Sequence, residues 1–203
     1  MKRREFLRKV VTVPAVVAAA EWFAGDRTVG VRPVGITAVV YDERYADCRS
    51  FAKALERHGA VSFATAGDAA SLWHGALRVN LARKGGSVAG MTPDSDWVVS
   101  RTCGREQGLE AAYEGSHDCR ASDQLLHRLL GGSARREVCA ELWCGRSPWA
   151  ESVASGLVHF SSQNGIWVTS DVAVATDVVV TQSSPDHPGY LTTWLLRRAT
   201  LRG

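Results

Sequence analysis

Asp42 and Asp68, with Arg44 and Thr92, are residue types that could do chemistry together on a small anion. Each follows a short apolar run: Asp42 and Arg44 close Gly35-Ile-Thr-Ala-Val-Val-Tyr41, Asp68 comes after Ala60 to Ala66, and Thr92 ends Ser87-Val-Ala-Gly-Met91. If those runs are neighbouring parallel strands, their carboxyl ends form one rim, where ligands of open α/β sheets bind. Arg44 and a helix beginning at Thr92-Pro93 would hold the anion, Asp42 or Asp68 would move a proton, and Tyr41, Gly67 and Gly90 would line the floor. The structural alternative is an Asp42–Arg44 turn with caps at Asp68 and Thr92, since such residues start most helices. Asp94 and Asp96, just inside the helix after Thr92, would repel an anion.

A second group gathers later in the chain. His117 and Cys119 lie in Glu114-Gly-Ser-His-Asp-Cys119, with His127 beyond, and with Cys139 and Cys144 they could in principle hold a metal. The spacing offers no C-x-x-C or H-x-x-x-H pair and matches no zinc or iron–sulfur template, so no metal site is assigned. His117 is kept as a ligand-binding candidate. Disulfides are the expected fate of the cysteines in an exported chain: Cys139 with Cys144 if a turn joins them, Cys103 with Cys119, and Cys48 left as a buried thiol. Ser50-Phe-Ala-Lys53 copies an S-x-x-K motif by chance, since Lys53 falls on a solvent face. No G-x-S-x-G elbow, Walker loop, dinucleotide fingerprint or H-E-x-x-H occurs, and no cofactor is indicated.

The elements that must position these residues are legible in the first half. Behind Tyr41, the residues Tyr45, Cys48, Phe51, Ala52 and Leu55 recur at helical spacing, and Gly59 supplies the stop. Asp68 caps a helix that would bury Trp73, Ala76, Leu77 and Leu81 and end at Lys84-Gly-Gly86. Thr92 caps, and Pro93 opens, a third helix to about Arg105 that buries Trp97 and Val98 or Val99. This β-α-β-α-β-α order predicts an α/β fold, a mostly parallel sheet with helices on both faces. Leu109 to Tyr113 suits a strand. Gln124 to Leu130 reads as a strand returning from a hairpin, with a short helix as the alternative. Trp149, Val153, Leu157 and Phe160 share a helix face. Ile166 to Thr169, Val172 to Thr181 and Tyr190 to Leu196 are β-rich, so the C-terminal half adds a mixed or antiparallel extension. Seven tryptophans serve either core packing or, at Trp22 and Trp149, an interface.

The segments Val40-Tyr-Asp-Glu-Arg-Tyr45, Gly67-Asp68 to Leu72-Trp73, Ala89-Gly-Met-Thr92, Tyr113-Glu-Gly-Ser-His117 and Leu191-Thr-Thr-Trp194 resemble a family of small twin-arginine-exported proteobacterial proteins. The resemblance covers most of the mature chain and implies that these segments belong to one fold. It carries no catalytic role to any residue.

The N-terminus supplies the compartment. Lys2-Arg3-Arg4-Glu5-Phe6-Leu7-Arg8-Lys9 precedes an apolar run from Val10 to Ala20, too short to span a bilayer, which predicts a twin-arginine signal peptide over 1–20. A Gly-, Asp- and Pro-containing linker follows over 21–33, then one α/β domain over 34–203. The expected location is periplasmic, with membrane contact only during export. The formal charge of +3 arises in that signal; beyond it 19 basic residues face 20 acidic ones, which gives nucleic acid no electrostatic reason to bind. Two functions are compatible with these features. One is a binding or accessory protein for a periplasmic redox enzyme; the other is a small hydrolase or isomerase acting on an anionic small molecule at the strand-end rim.

Overall fold

Strand β1 (Ile36–Tyr41) is buried along almost its whole length, because both of its faces are covered. A computed structural model describes residues 35–118, 125–130, 132–144, 147–162, 176–180 and 189–198. All belong to the compact unit Arg32–Gly203. The expected signal peptide, the linker, Trp22 and the Ile166–Thr169 strand lie outside the described residues.

From β1 the chain alternates as its periodicity predicts. Helix α1 (Ala46–Glu56) buries Cys48, Phe51, Ala52 and Leu55, and β2 (Val61–Ala64) pairs parallel to β1. The expected second helix is two: α2 (Ala69–His74) and α3 (Ala76–Lys84), broken at Gly75, whose ψ of −114° is far from helical. Strand β3 (Ser87–Thr92) pairs parallel to β1 on its other side, and α4 (Asp94–Glu106) follows, burying Trp97 and leaving Val98 exposed. Placing β2 and β3 on opposite sides of β1 sends α1 to one face of the sheet and α2–α4 to the other when crossovers keep one hand. The two buried clusters divide accordingly.

The second half is the expected antiparallel extension of the sheet. Strand β4 (Leu109–Asp118) does not join β3 directly; the last strand, β7 (Tyr190–Arg198), lies between them, antiparallel to both. The order is β2-β1-β3-β7-β4-β5-β6, with β5 (Leu125–Leu130) the returning arm of the expected hairpin and β6 (Thr176–Val180) beside it. The polar–apolar pattern of β7 suits an edge strand as well as a central one until its partners are known. Its burial shows the central position: Leu191 to Leu196 are all buried. Helices α5 (Gly132–Cys144) and α6 (Trp149–Ser162) pack against each other and cover this half on the α1 face. Among the described residues, no helix is long and apolar enough to cross a membrane.

Candidate functional site

The sheet reverses its winding at β1 and β3, so the rim expected to bind a ligand is where Tyr41, Asp42, Met91 and Thr92 end their strands. Asp42 N–H still bonds Met91 O, which prolongs the β1–β3 pairing by a residue.

Asp42 is fully buried, and Arg44 closes over it: the guanidinium donates to both carboxylate oxygens, Nε at 2.9 and 3.1 Å and Nη2 at 2.5 Å, while Arg44 N–H donates to Oδ1 at 3.0 Å. This is a two-pronged pair in which the carboxylate has its acceptor positions filled. The Asp42 partner raises the guanidinium pKa above its usual range. Arg44 remains half exposed, stacks toward the Tyr45 ring, and passes over Gly67, where an added Cβ would lie 3.6 Å from Nη2.

The remaining rim candidates are engaged to differing degrees, Asp68 at the surface and Thr92 in the interior. Asp68 caps α2, accepting from Ser71 N–H at 3.0 Å, and that bond holds its carboxyl below the usual range. Thr92 is not a helix cap. It is the last residue of β3, paired with Thr192, and the helix behind it is capped by Pro93 without a side-chain bond. Buried there, Thr92 Oγ1 accepts from Trp194 Nε1 at 3.2 Å. Gly90 is not a ligand floor either, because the Trp194 indole occupies the space: a Cβ on Gly90 would meet Cζ2 at 2.1 Å. Trp194 stacks on Trp97, their centroids 5.3 Å apart. Tyr41 is half-buried against the α1 side of the core.

One rim residue was read only as a repulsive charge. Asp96, in the first turn of α4, is buried and accepts from Thr65 Oγ1 at 3.0 Å. Burial, and less so the nearby Asp42 charge, raise its carboxyl pKa. Its i+2 spacing from Asp94 gave no hint that it turns inward.

On the opposite face, at the same edge, His117 meets His127 across the β4–β5 ladder, and both are fully buried. Their Nδ1 atoms are 2.5 Å apart, and His117 Nε2 is 2.7 Å from Thr193 Oγ1. The proton positions depend on where the Thr193 hydroxyl points. Where the Thr193 hydroxyl donates to Tyr113 Oη or Gly115 O, each at 3.4 Å, it accepts from His117 Nε2–H. His117 Nδ1 is then a bare acceptor, and His127 Nδ1–H must donate to it. That leaves His127 Nε2 a lone pair, with no hydrogen-bond partner among the described residues. Burial lowers the His127 pKa to about 4, which keeps that ring neutral. Trp149 packs on both imidazoles, at centroid distances of 4.8 and 5.2 Å, and its side chain bonds Asp47 of α1. Trp149 is thus core, not interface. The histidine pair is closed to solvent and is not part of the rim.

The cysteines depart from expectation. Cys139 and Cys144 stand on one uninterrupted helix where a turn was required, one buried and the other exposed, and both are free thiols. Five positions along a helix put two side chains well apart around the axis, which a disulfide cannot bridge. Cys103 is a free, buried thiol near the end of α4, at the opposite edge of the sheet from Asp118; its expected partner Cys119 lies outside the described residues. Cys48 is a fully buried free thiol whose pKa burial pushes up. Exposed large apolar side chains include Trp143, 72% exposed near the end of α5. No family model, curated protein or solved structure matches the chain.

Proposed function

We propose that this chain is an exported binding or accessory protein that works in company with a periplasmic redox enzyme, and that its contribution is recognition and not catalysis. The observation that supports this most is the local engagement of the rim: Asp42 is held by Arg44, Asp68 caps α2 through Ser71, and Thr92 is held by Trp194. A general acid or base needs a proton site within reach of substrate; Asp42 and Thr92 are buried and bonded, and the exposed Asp68 carboxyl is held below the usual range by its cap. The signal-like N-terminus, with its paired arginines followed by Phe6-Leu7, supports the redox company, because that route carries proteins already folded with cofactors or partners. Trp143 is the type of exposed aromatic that anchors protein contacts. Native mass spectrometry of the chain isolated from its own host tests the reading: a stoichiometric complex with an oxidoreductase supports it, and a clean monomer opposes it.

A second reading, an enzyme acting on a small anion, has one observation in its favour. The half-exposed Arg44 guanidinium and the buried Asp96 carboxyl, with its raised pKa, belong to the same rim. Arg44 would hold the anion and Asp96, protonated more readily than an ordinary carboxyl, would serve as the acid. A thermal-shift screen of small carboxylates and phosphates against wild type and Arg44→Ala decides it. Stabilisation by an anion that Arg44→Ala abolishes favours the enzyme; an unresponsive wild type removes it.

A further inference from the structure

The last turn of α4 carries Cys103 and Glu106, three residues apart and therefore on one side of the helix. His74, the final residue of α2, comes to the same place. A ring nitrogen of His74, Cys103 Sγ and a carboxylate oxygen of Glu106 all lie within 4.8 Å of one another. Close helix packing fixes this meeting. Trp73 of α2 packs at ordinary contact distance over Gly104 of α4, its Cη2 3.6 Å from where a Cβ there would stand, and His74 is the next residue along. Gly75 then turns the chain away. Cys103 is buried beneath, while His74 and Glu106 are exposed above it.

We propose that His74, Cys103 and Glu106 form a binding site for a divalent transition-metal ion of the Zn²⁺ class, with a fourth position open to solvent. The donor set selects the ion. A thiolate beside an imidazole disfavours Mg²⁺ and Ca²⁺, which take oxygen ligands, and a carboxylate disfavours Cu⁺, which takes soft ones. Nitrogen, sulfur and oxygen together suit Zn²⁺ or Co²⁺. The charges balance, since thiolate and carboxylate offset the two positive charges. Tetrahedral bonds of about 2.0–2.3 Å hold donors about 3.3–3.8 Å apart. The remaining ångström is within reach of the His74 and Glu106 side chains, which are free to change rotamer at the surface.

The site also gives Cys103 a chemistry its surroundings otherwise oppose. Burial and the neighbouring Glu106 raise its pKa, so the thiol is protonated when no ion is bound. As the sulfur–metal bond forms, that proton passes to solvent, and affinity therefore rises with pH. The donors escape a sequence motif because they come from two separate helices, with neither a C-x-x-C nor an H-x-x-x-H pair between them.

The test is a Co²⁺ titration of the full chain under reducing conditions, followed by Zn²⁺ competition. One equivalent of Co²⁺ should produce a thiolate-to-cobalt charge-transfer band together with the strong visible bands of tetrahedral cobalt, and Zn²⁺ should bleach both. Cys103→Ser should abolish the charge-transfer band, and Cys144→Ser should leave it unchanged. His74→Gln and Glu106→Gln, substitutions at exposed positions that circular dichroism will show to be folded, should each weaken Co²⁺ by at least about tenfold, the loss that even an outer-shell change produces. Absence of a band at one equivalent overturns the proposal, as does a band that survives Cys103→Ser. Recovery of Cys103 in a disulfide from protein isolated from its native host would overturn it equally.

Discussion

Lowering the pH from 7 to 5 should cost the protein about 2 kcal/mol of stability through one imidazole, His127. Its neutral ring sits among Leu125, Leu129 and Trp149, donates through Nδ1 to His117, and has no partner for Nε2. Protonation would put a second N–H on Nε2 and a positive charge in apolar surroundings, so burial holds the pKa at about 4 where an unfolded chain has about 6.5. The folded state therefore binds fewer protons than the unfolded one between those values. Stability contributed by the neutral ring is complete above about pH 6.5 and is lost as pH falls toward 4, at no more than about 1.4 kcal/mol per pH unit. Integrated from pH 7 to 5, the loss is about 2 kcal/mol. Asp47 and Asp96 act in the opposite sense, because carboxyls with raised pKa bind extra protons in the folded state as the pH falls. A variant is needed to separate the two. His127→Asn keeps a donor at the Nδ1 position and removes the titration. Urea unfolding at pH 7, 6 and 5, followed by tryptophan fluorescence, should show wild type losing about 2 kcal/mol more than His127→Asn across that range. Parallel curves for the two proteins would refute the neutral buried pair.

Three further outcomes follow from single contacts. Thr92→Val keeps the shape of β3 but orphans the buried Trp194 Nε1, and should destabilise by about 1–3 kcal/mol in chemical denaturation. Gly90→Ala drives a methyl into the Trp194 indole and should cost about 1–3 kcal/mol, or more if the Trp97–Trp194 stack cannot shift, read from the same unfolding curves with near-ultraviolet circular dichroism. Arg44→Ala leaves the buried Asp42 carboxylate without its guanidinium, so it should destabilise more than Arg44→Ala combined with Asp42→Asn; a double-mutant loss equal to the sum of the two single losses would mean the pair is uncoupled.

What could be read from the residues alone has a physical boundary. The β1–α1–β2 and β3–α4 units were legible because their patterns are local: a buried strand is apolar throughout, and α1 repeats its apolar face every three or four residues. The hairpin of β4 and β5 was legible for the same reason. The insertion of β7 between β3 and β4 was not, since pairing Gly90 with Trp194 depends on a contact across the whole chain, and nothing in Tyr190 to Arg198 names its neighbours. Helix α5 was missed because its residues lack a clear amphipathic stripe, which made a turn between Cys139 and Cys144 plausible and the disulfide with it. At the rim, residue types gave the right neighbours but not their state. Asp42 and Arg44 do meet, in a bond that occupies both, and the threonine expected to cap a helix instead receives an indole N–H from a strand 102 residues away. His117 and His127 were noticed for their type, yet their closeness comes from register, which places one opposite the other.

The proposal that this protein acts by binding a redox partner is tested most directly by isolating it, at its native expression level, from the periplasm of the host that makes it, and weighing the intact assembly by native mass spectrometry. The account predicts a stoichiometric complex whose second component is an oxidoreductase, and predicts that the complex persists in Asp42→Asn, which removes the buried carboxylate charge of the rim. A monomer of the mature chain with no associated protein would contradict it.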